Sequence, residues 1–420
     1  MKYDAIILGG GLSGLVTGIA LCRAGHSTAI ISSGQSALHF NSGSYGLLGH
    51  VDGKEVSDPS AAIASFEAPH PYARIGAANL AALIAEAKQI FVDAGITLEG
   101  SDTANHHRLT PVGEVKPAWL SAAGSPVMEK IREAAKNGPV LIASIKGYLD
   151  FYPAFLANGL KREGIETKTV SVTIPALEHL RTNPTEFRAP GIARLLTGQA
   201  LADFAAELRK AAGDASAVIM PAVIGMRDEK PLAELERLTG KKIFYVPTTP
   251  MSVTGMRQQA MLRRYFEHLG GVYMLGDKVT EGRIADESLK SLSTVSLGAD
   301  SLTADQFVMA TGSFFSSGLV ARPDSIRESV FDLDVDAPAE RSKWFSKQVF
   351  DVQPYMSFGV HTDDSFRVSK GGKTIANLYA VGAILGGCNS LKEESGAGVA
   401  ILTALTVAKA IDKNLSAQKN

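Results

Sequence analysis

Three glycines carry the first chemical possibility in this chain. Gly9, Gly11 and Gly14 stand in the spacing Gly-x-Gly-x-x-Gly. An apolar run at 3–8 precedes them, and Leu12, Leu15, Val16, Ile19 and Ala20 follow at helical spacing. Between a strand and a helix, each glycine has its own work. Gly9 permits the sharp turn, Gly11 lets an anion approach the backbone without meeting a Cβ, and Gly14 lets the helix pack close to the strand. The free N–H groups at the start of the helix, from Leu12, Ser13 and Gly14, and the helix dipole then face a phosphate. The competing reading is a glycine-rich turn with no ligand. A second apolar run at 28–31 completes a β-α-β unit of about 30 residues, the context that gives the spacing meaning.

A missing acid is equally informative. Dinucleotide sites place Asp or Glu roughly 20 residues further on to hold the adenosine ribose. Here that place holds Ser32, Ser33 and Gly34, and no Asp or Glu occurs between Ala5 and Val51. Either a hydroxyl such as Ser33 holds the ribose, or no adenosine half is bound. The second option points to a mononucleotide such as FMN, with FAD as the alternative.

Two later segments resemble the flavoproteins with two dinucleotide-binding folds. One is the strand at 307–310 that runs into Thr311 and Gly312. The other is Leu378-Tyr379-Ala380-Val381-Gly382, followed by Gly386-Gly387 and by Gly396-Ala397 opening a helix. That resemblance implies a helix N-terminus aimed at the flavin pyrimidine, where unpaired N–H groups stabilise the negative charge of the reduced ring. It departs at Ala383, where many such proteins have an Asp for the ribityl hydroxyls. The polar stretch 36–44, with His39, Ser42 and Gly43, sits where such proteins run past the ring. His39 is a candidate for polarising or covalently holding the flavin, against the plainer reading of a loop histidine.

The elements that must position these groups follow from pattern. Strands are expected at 140–145, 166–174, 217–223, 242–246 and 271–275, and an antiparallel meander at 278–303. Helices are expected at 61–95, 152–161, 256–269 and 396–411. The first and last parts carry the nucleotide-fold signals and the middle does not. The expected fold is therefore α/β: a discontinuous Rossmann-like flavin domain from 1–60 plus 241–420, with an inserted second α/β or α+β domain at 61–240. Lys and Arg number 42 against 43 Asp and Glu, so no excess of basic charge is available for nucleic acid. Two cysteines, Cys22 and Cys388, point to a reducing compartment and not to a disulfide framework. No apolar stretch approaches the ~18 residues that span a bilayer. No metal-ligating pattern stands out.

Taken together, the glycine turn, Gly34-Gln35-Ser36-Ala37-Leu38-His39-Phe40, Asn183-Pro184-Thr185-Glu186-Phe187-Arg188, Thr311-Gly312-Ser313-Phe314-Phe315-Ser316 and 378–382 resemble the B subunit of anaerobic glycerol-3-phosphate dehydrogenase over essentially the whole chain. The resemblance implies oxidation of sn-glycerol 3-phosphate to dihydroxyacetone phosphate, with electrons passed towards menaquinone. It also implies FMN in this chain and two partners, a catalytic A subunit and an iron–sulfur membrane-anchor C subunit. The anchor would hold the complex at the cytoplasmic face of the inner membrane. On that reading hydride leaves C2 of the substrate for the flavin, a base takes the hydroxyl proton, and arginine forks bind the phosphate. Candidate bases are His39, His106 and His107. Candidate phosphate ligands are Arg188, Arg257 and Arg327. One alternative puts the substrate site in the catalytic partner, leaving this chain to bind flavin and relay electrons; others are a self-sufficient FAD-dependent oxidoreductase of fumarate-reductase type and a non-catalytic flavin-binding or assembly subunit.

Overall fold

A computed structural model describes residues 1–249 and 251–419. In chain order the elements that matter begin with β1 (Lys2–Leu8), α1 (Leu12–Arg23), β2 (Thr28–Ser32) and α2 (Ala77–Asp93). There follow β3 (Val140–Ile145), β4 (Thr167–Val172), β5 (Ala217–Pro221) and β6 (Lys242–Val246). The chain ends with β7 (Val272–Leu275), β8 (Val279–Ala285), β9 (Ser288–Thr294), β10 (Gly298–Met309), β11 (Lys373–Ala380) and α3 (Gly396–Lys419). The chain divides into two units, one of residues 1–37, 46–94 and 262–420, the other of residues 38–45 and 95–261.

The first unit is built on a parallel sheet in the order β7-β2-β1-β10-β11. Ile6 pairs with Ala29 on one side and Phe307 on the other, so β1 is central. A strand covered on both faces must be apolar throughout, and Ala5, Ile6 and Ile7 are fully buried. β10 is long because it serves two partners. Its first half closes the antiparallel meander with β8 and β9, and its second half joins the parallel sheet. α1 buries Leu15, Val16 and Ile19. Gly18 has no room for a side chain, because a Cβ would press on Phe266 and on Ile30 of β2. The helix stops at Ala24, followed by Gly25 at φ +86°, a left-handed conformation that suits glycine.

The second unit is also α/β. Its sheet is parallel with the order β4-β3-β5-β6. β5 is wholly buried, which its unbroken apolar run Ala217-Val218-Ile219-Met220 requires. Of the two classes expected for the inserted domain, this is the α/β one.

The boundaries between units fall at 94 and 261, not at 60 and 240. Residues 242–246 belong to the second unit because they form β6, with Lys242 beside Ala217 and Val246 beside Pro221. Residues 61–94 belong to the first because α2 buries Leu83, Ile84, Ile90 and Phe91 there, and Glu86 pairs with Lys409 of α3 at 2.9 Å. Residues 38–45 belong to the second unit because Tyr45 and Ser44 pair with Leu120 and Ser121. Pattern reading misses such splits, since a strand's partner is not written in its own residues.

Candidate functional site

The glycine turn forms where expected, and its three glycines differ in what requires them. At Gly9, φ is +114° and a Cβ would overlap Ala310 O, so the backbone and the neighbouring chain segment both demand glycine. At Gly14 a Cβ would overlap Gly9 O, the close helix-to-strand approach expected of the third glycine. Gly11 is different. Its φ is −82°, and the nearest atom to a Cβ would be Ser36 Cβ at 3.6 Å, an ordinary contact. Nothing in the protein requires glycine there, since a Cβ would make no more than that ordinary contact.

The amides beside it are available. The first helical N–H with an acceptor is that of Leu15, which donates to Gly11 O at 2.9 Å. Those of Leu12, Ser13 and Gly14 have none among the described residues, as helix geometry dictates for a first turn. Gly10 is closed off from behind, since Tyr273 OH donates to its carbonyl at 3.2 Å.

The later segments converge on the same turn within the first unit. Ala310 N donates to Leu8 O at 2.8 Å, which brings Thr311 alongside Gly9. Thr311 Oγ1 is a buried hydroxyl with no partner among the described residues. Gly312 at φ +77° turns the chain away. Gly382, at φ +72°, lies so close to the side chain of Ser13 that a Cβ would collide with it, and its amide donates to Thr403 of α3 at 3.0 Å. At the start of α3 the amide of Gly398 goes to Gly46 O at 2.8 Å, but those of Gly396 and Ala397 have no acceptor among the described residues. Gly396 repeats the feature seen at Gly11, for its nearest neighbour would be Ser390 Cβ at 3.7 Å. Gly387, by contrast, is glycine for packing, because a Cβ would overlap Pro69 O. At the end of β2, Ser32 Oγ donates to Gly34 O at 2.9 Å and Ser33 is exposed.

His39, Ser42 and Gly43 belong to the second unit. Burial lowers the His39 pKa, and its Nδ1 is buried without a partner. Arg188 is 61% exposed at its side chain and pairs with Asp150 at 3.3 Å. Arg327 pairs with Asp332 at 3.3 Å, also in the open. His106 Nε2 meets Ser121 Oγ at 2.6 Å, and His107 pairs with Glu129 at 3.1 Å. Arg257, by contrast, is buried.

Family comparison rests on the whole chain. Residues 4–399 match the FAD binding domain family. The B subunit of anaerobic glycerol-3-phosphate dehydrogenase from Yersinia pestis bv. Antiqua (strain Antiqua) is 42% identical over 425 residues, covering 98% of each chain. The protein of the same name from Actinobacillus pleuropneumoniae serotype 5b (strain L20) is 38% identical, covering 98% of this chain and 99% of that one. The chain belongs to the family of anaerobic glycerol-3-phosphate dehydrogenase B subunits. Among solved structures, a 3-ketosteroid Δ1-dehydrogenase from Sterolibacterium denitrificans aligns with 98% of this chain and 100% of its own at a TM-score of 0.44 and 11% identity.

Membership makes this one polypeptide of a flavin oxidoreductase, and the residues fit a flavin. Five amides without acceptors among the described residues, at two helix starts beside Gly11 and Gly396, are neutral donors of the kind a phosphate accepts. The orphan Thr311 hydroxyl lies between strand ends beside the turn. The hydroxyls of Ser32 and Ser33 stand at the place of the ribose acid.

One cluster escaped the sequence reading because one member lies more than 300 positions from the other two. His70, Cys388 and Glu393 bring ligand-type atoms within 4.8 Å of one another. Tyr72 N–H donates to His70 Nδ1 at 3.1 Å, which leaves the ring proton on Nε2, facing Glu393 at 3.2 Å. That is a neutral imidazole donating to a carboxylate, an arrangement that braces the loop before α3. A metal at Nε2 would have to displace that proton. Burial pushes the Cys388 thiol up to about 12, so it is a neutral packing group.

Proposed function

We propose that this chain is the flavin-bearing subunit of a glycerol-3-phosphate:quinone oxidoreductase of anaerobic respiration. The complex oxidises sn-glycerol 3-phosphate to dihydroxyacetone phosphate and passes electrons towards menaquinone. Its partners are a catalytic subunit, which forms a soluble pair with this chain, and an iron–sulfur subunit that holds the pair at the cytoplasmic face of the inner membrane. The observation that carries the reading is the bare face of Gly11 beside the open amides of Leu12, Ser13 and Gly14, in a chain 42% identical to named B subunits.

The flavin, when bound, supplies a two-electron acceptor. The chain's own residues do the rest. Leu12, Ser13 and Gly14 hold the phosphate through backbone N–H groups, which add no net charge and cost no reorganisation. Gly396 and Ala397 aim two more at the ring. Thr311 offers a hydroxyl, and Tyr273 locks the turn from behind. Family membership favours FAD, with Ser32 and Ser33 holding the ribose in place of an acid. FMN is the reading in which those serines hold nothing.

Mass spectrometry of the cofactor released from the purified chain decides between them. FAD mass supports the first and FMN mass the second. A colourless chain that takes up neither flavin leaves only a non-catalytic role in assembly and ends the redox reading. G11E should block the phosphate by bulk and charge and abolish flavin uptake.

A further inference from the structure

One loop of the first unit has its polarity inverted. It links the short strands Val335–Asp336 and Gly359–Val360. Within it Phe345 is 51% exposed, Val349 76%, Phe350 91% and Val352 65%. The polar side chains among them bond within the loop. Ser346 N–H donates to Gln353 Oε1 at 3.0 Å, Ser346 Oγ to Asp351 Oδ2 at 2.6 Å, and Gln353 Nε2 to Gln348 O at 2.8 Å. Trp344 is buried and anchors the loop by donating from Nε1 to Pro338 O at 2.6 Å. The loop is also braced against the segment that passes the glycine turn, since the Phe314 ring stands edge-on to Tyr355 at 6.1 Å.

A loop normally shows water its polar groups and hides its apolar ones. Here a network of side-chain bonds holds a ridge of four large apolar groups out in solvent. They bare roughly 500 Å², as much as the largest apolar patch of an ordinary monomer. The charges left unanswered around the ridge are all positive. Lys347 lies within it, and Arg322 and Arg341 line an open hollow with Ala321 and Pro323. The Arg341 guanidinium lies over the Trp344 ring at 5.4 Å and donates to Pro323 O at 2.9 Å, which ties the hollow to the base of the loop. Lys347, Arg322 and Arg341 enter no ion pair among the described residues. The nearby acids are taken up, Glu340 by Lys343 at 3.0 Å and Asp351 by Ser346.

We propose that this ridge is the docking surface for another polypeptide of the complex, one that presents an apolar hollow rimmed by Asp and Glu. The proposal rests on the reading of this chain as one subunit of several. Apolar side chains at the centre and charges of one sign at the rim are the anatomy of a protein interface, and the rim charge selects an acidic partner. A ridge already held in shape by its own bonds loses little freedom on docking. A second copy of this chain does not fit. A two-fold axis through the ridge would set Lys347, Arg322 and Arg341 against their own copies. A bilayer does not fit either, because lipid-binding clusters carry about four to eight Lys and Arg, and this ridge has fewer cations and holds Asp351 in its midst.

The test uses the full chain, affinity-tagged and co-expressed with the catalytic and iron–sulfur partners. Recovery of a partner on the tag should fall at least about tenfold with F350D and about threefold with K347E, on the scale of a central apolar and a rim charged contact. V295D, at an exposed valine of the same unit, should match the wild type. Added salt should weaken the wild-type complex more than that of K347E. Each variant is also purified alone, where melting temperature and flavin content should equal those of the wild type, and F350S replaces F350D if the latter does not fold. Equal partner recovery with F350D and wild type overturns the proposal and leaves the flavin reading standing. A wild-type dimer that F350D makes monomeric assigns the ridge to a second copy and overturns it too. So does flotation with phosphatidylglycerol vesicles that F350D abolishes. A wild-type chain that recovers no partner ends the multi-subunit reading and the docking surface with it. Partner recovery that depends on Phe350 in a chain without flavin supports the surface and sinks only the redox assignment.

Discussion

At the scale of single residues, Gly11 and Gly14 differ in what a side chain would meet. A Cβ at Gly14 would strike Gly9 O, whereas at Gly11 it would meet only Ser36 Cβ at 3.6 Å. G14A should therefore destabilise the flavin-free chain by about 1–3 kcal/mol, the usual cost of forcing a methyl group into filled space. G11A should leave the flavin-free melting temperature within a degree or so, on the order expected of a substitution that strains nothing, yet lower flavin occupancy. Melting curves with and without flavin, read beside the flavin absorbance, check both. A second residue-level expectation concerns Glu393. Burial pushes its carboxyl up, but hydrogen bonds from His70, Ser395 and the Asn389 amide outweigh that and hold it below the usual carboxylate range. A carboxyl depressed in the folded state stabilises the protein above its unfolded pKa, and that contribution is lost as pH falls through the folded value. E393Q should melt lower than wild type at neutral pH, and the gap should close as acid is added below the ordinary carboxylate range. A gap that stays constant down to strong acid would show that the carboxylate charge contributes nothing.

At the scale of elements, the glycine turn is fixed because β1 is central. Strands on both sides fix its end, and the ends of β2 and β10 then bracket the turn through Gly9 N to Ile31 O and Ala310 N to Leu8 O, both 2.8 Å. α3 closes the arrangement by accepting Gly382 N at Thr403. In the second unit β5 has the same central role. Ile219 is fully buried and pairs with Ile142 and Phe244. I219A should cost about 2–5 kcal/mol, seen as a lower denaturant midpoint with an unchanged slope. Because Ile219 lies in the second unit, the flavin absorbance of the folded protein should stay as it was.

At the scale of the whole molecule, no helix among the described residues is long and apolar enough to cross a membrane. On the proposed function, any attachment to a bilayer comes through another polypeptide of the complex. Expressed alone, the chain should stay in the supernatant after high-speed centrifugation. It should move to the membrane fraction only when the catalytic and iron–sulfur partners are co-expressed. Equal sedimentation in the two cases would remove the anchor from the proposal. The near balance of 42 basic and 43 acidic residues makes non-specific capture by an anionic lipid surface a poor substitute for that partner.

The first β-α-β unit, the glycine turn and the approach of Thr311 and Gly382 towards it were all legible in the residues. Each depends on local order: a buried parallel strand is continuously apolar, a helix repeats every 3.6 residues, and a tight turn needs glycine. The family was legible for a related reason, since the resemblance rests on short local motifs such as that around His39. What only the tertiary structure decided is which residues share a unit and which charges lose their water. β6 reads as any apolar strand until β5 is beside it. Arg108 and Arg188 are the same residue type on paper, yet one is sealed in without an acid and the other stands in solvent beside Asp150. Burial is a property of everything packed around a side chain, and no window of sequence contains it.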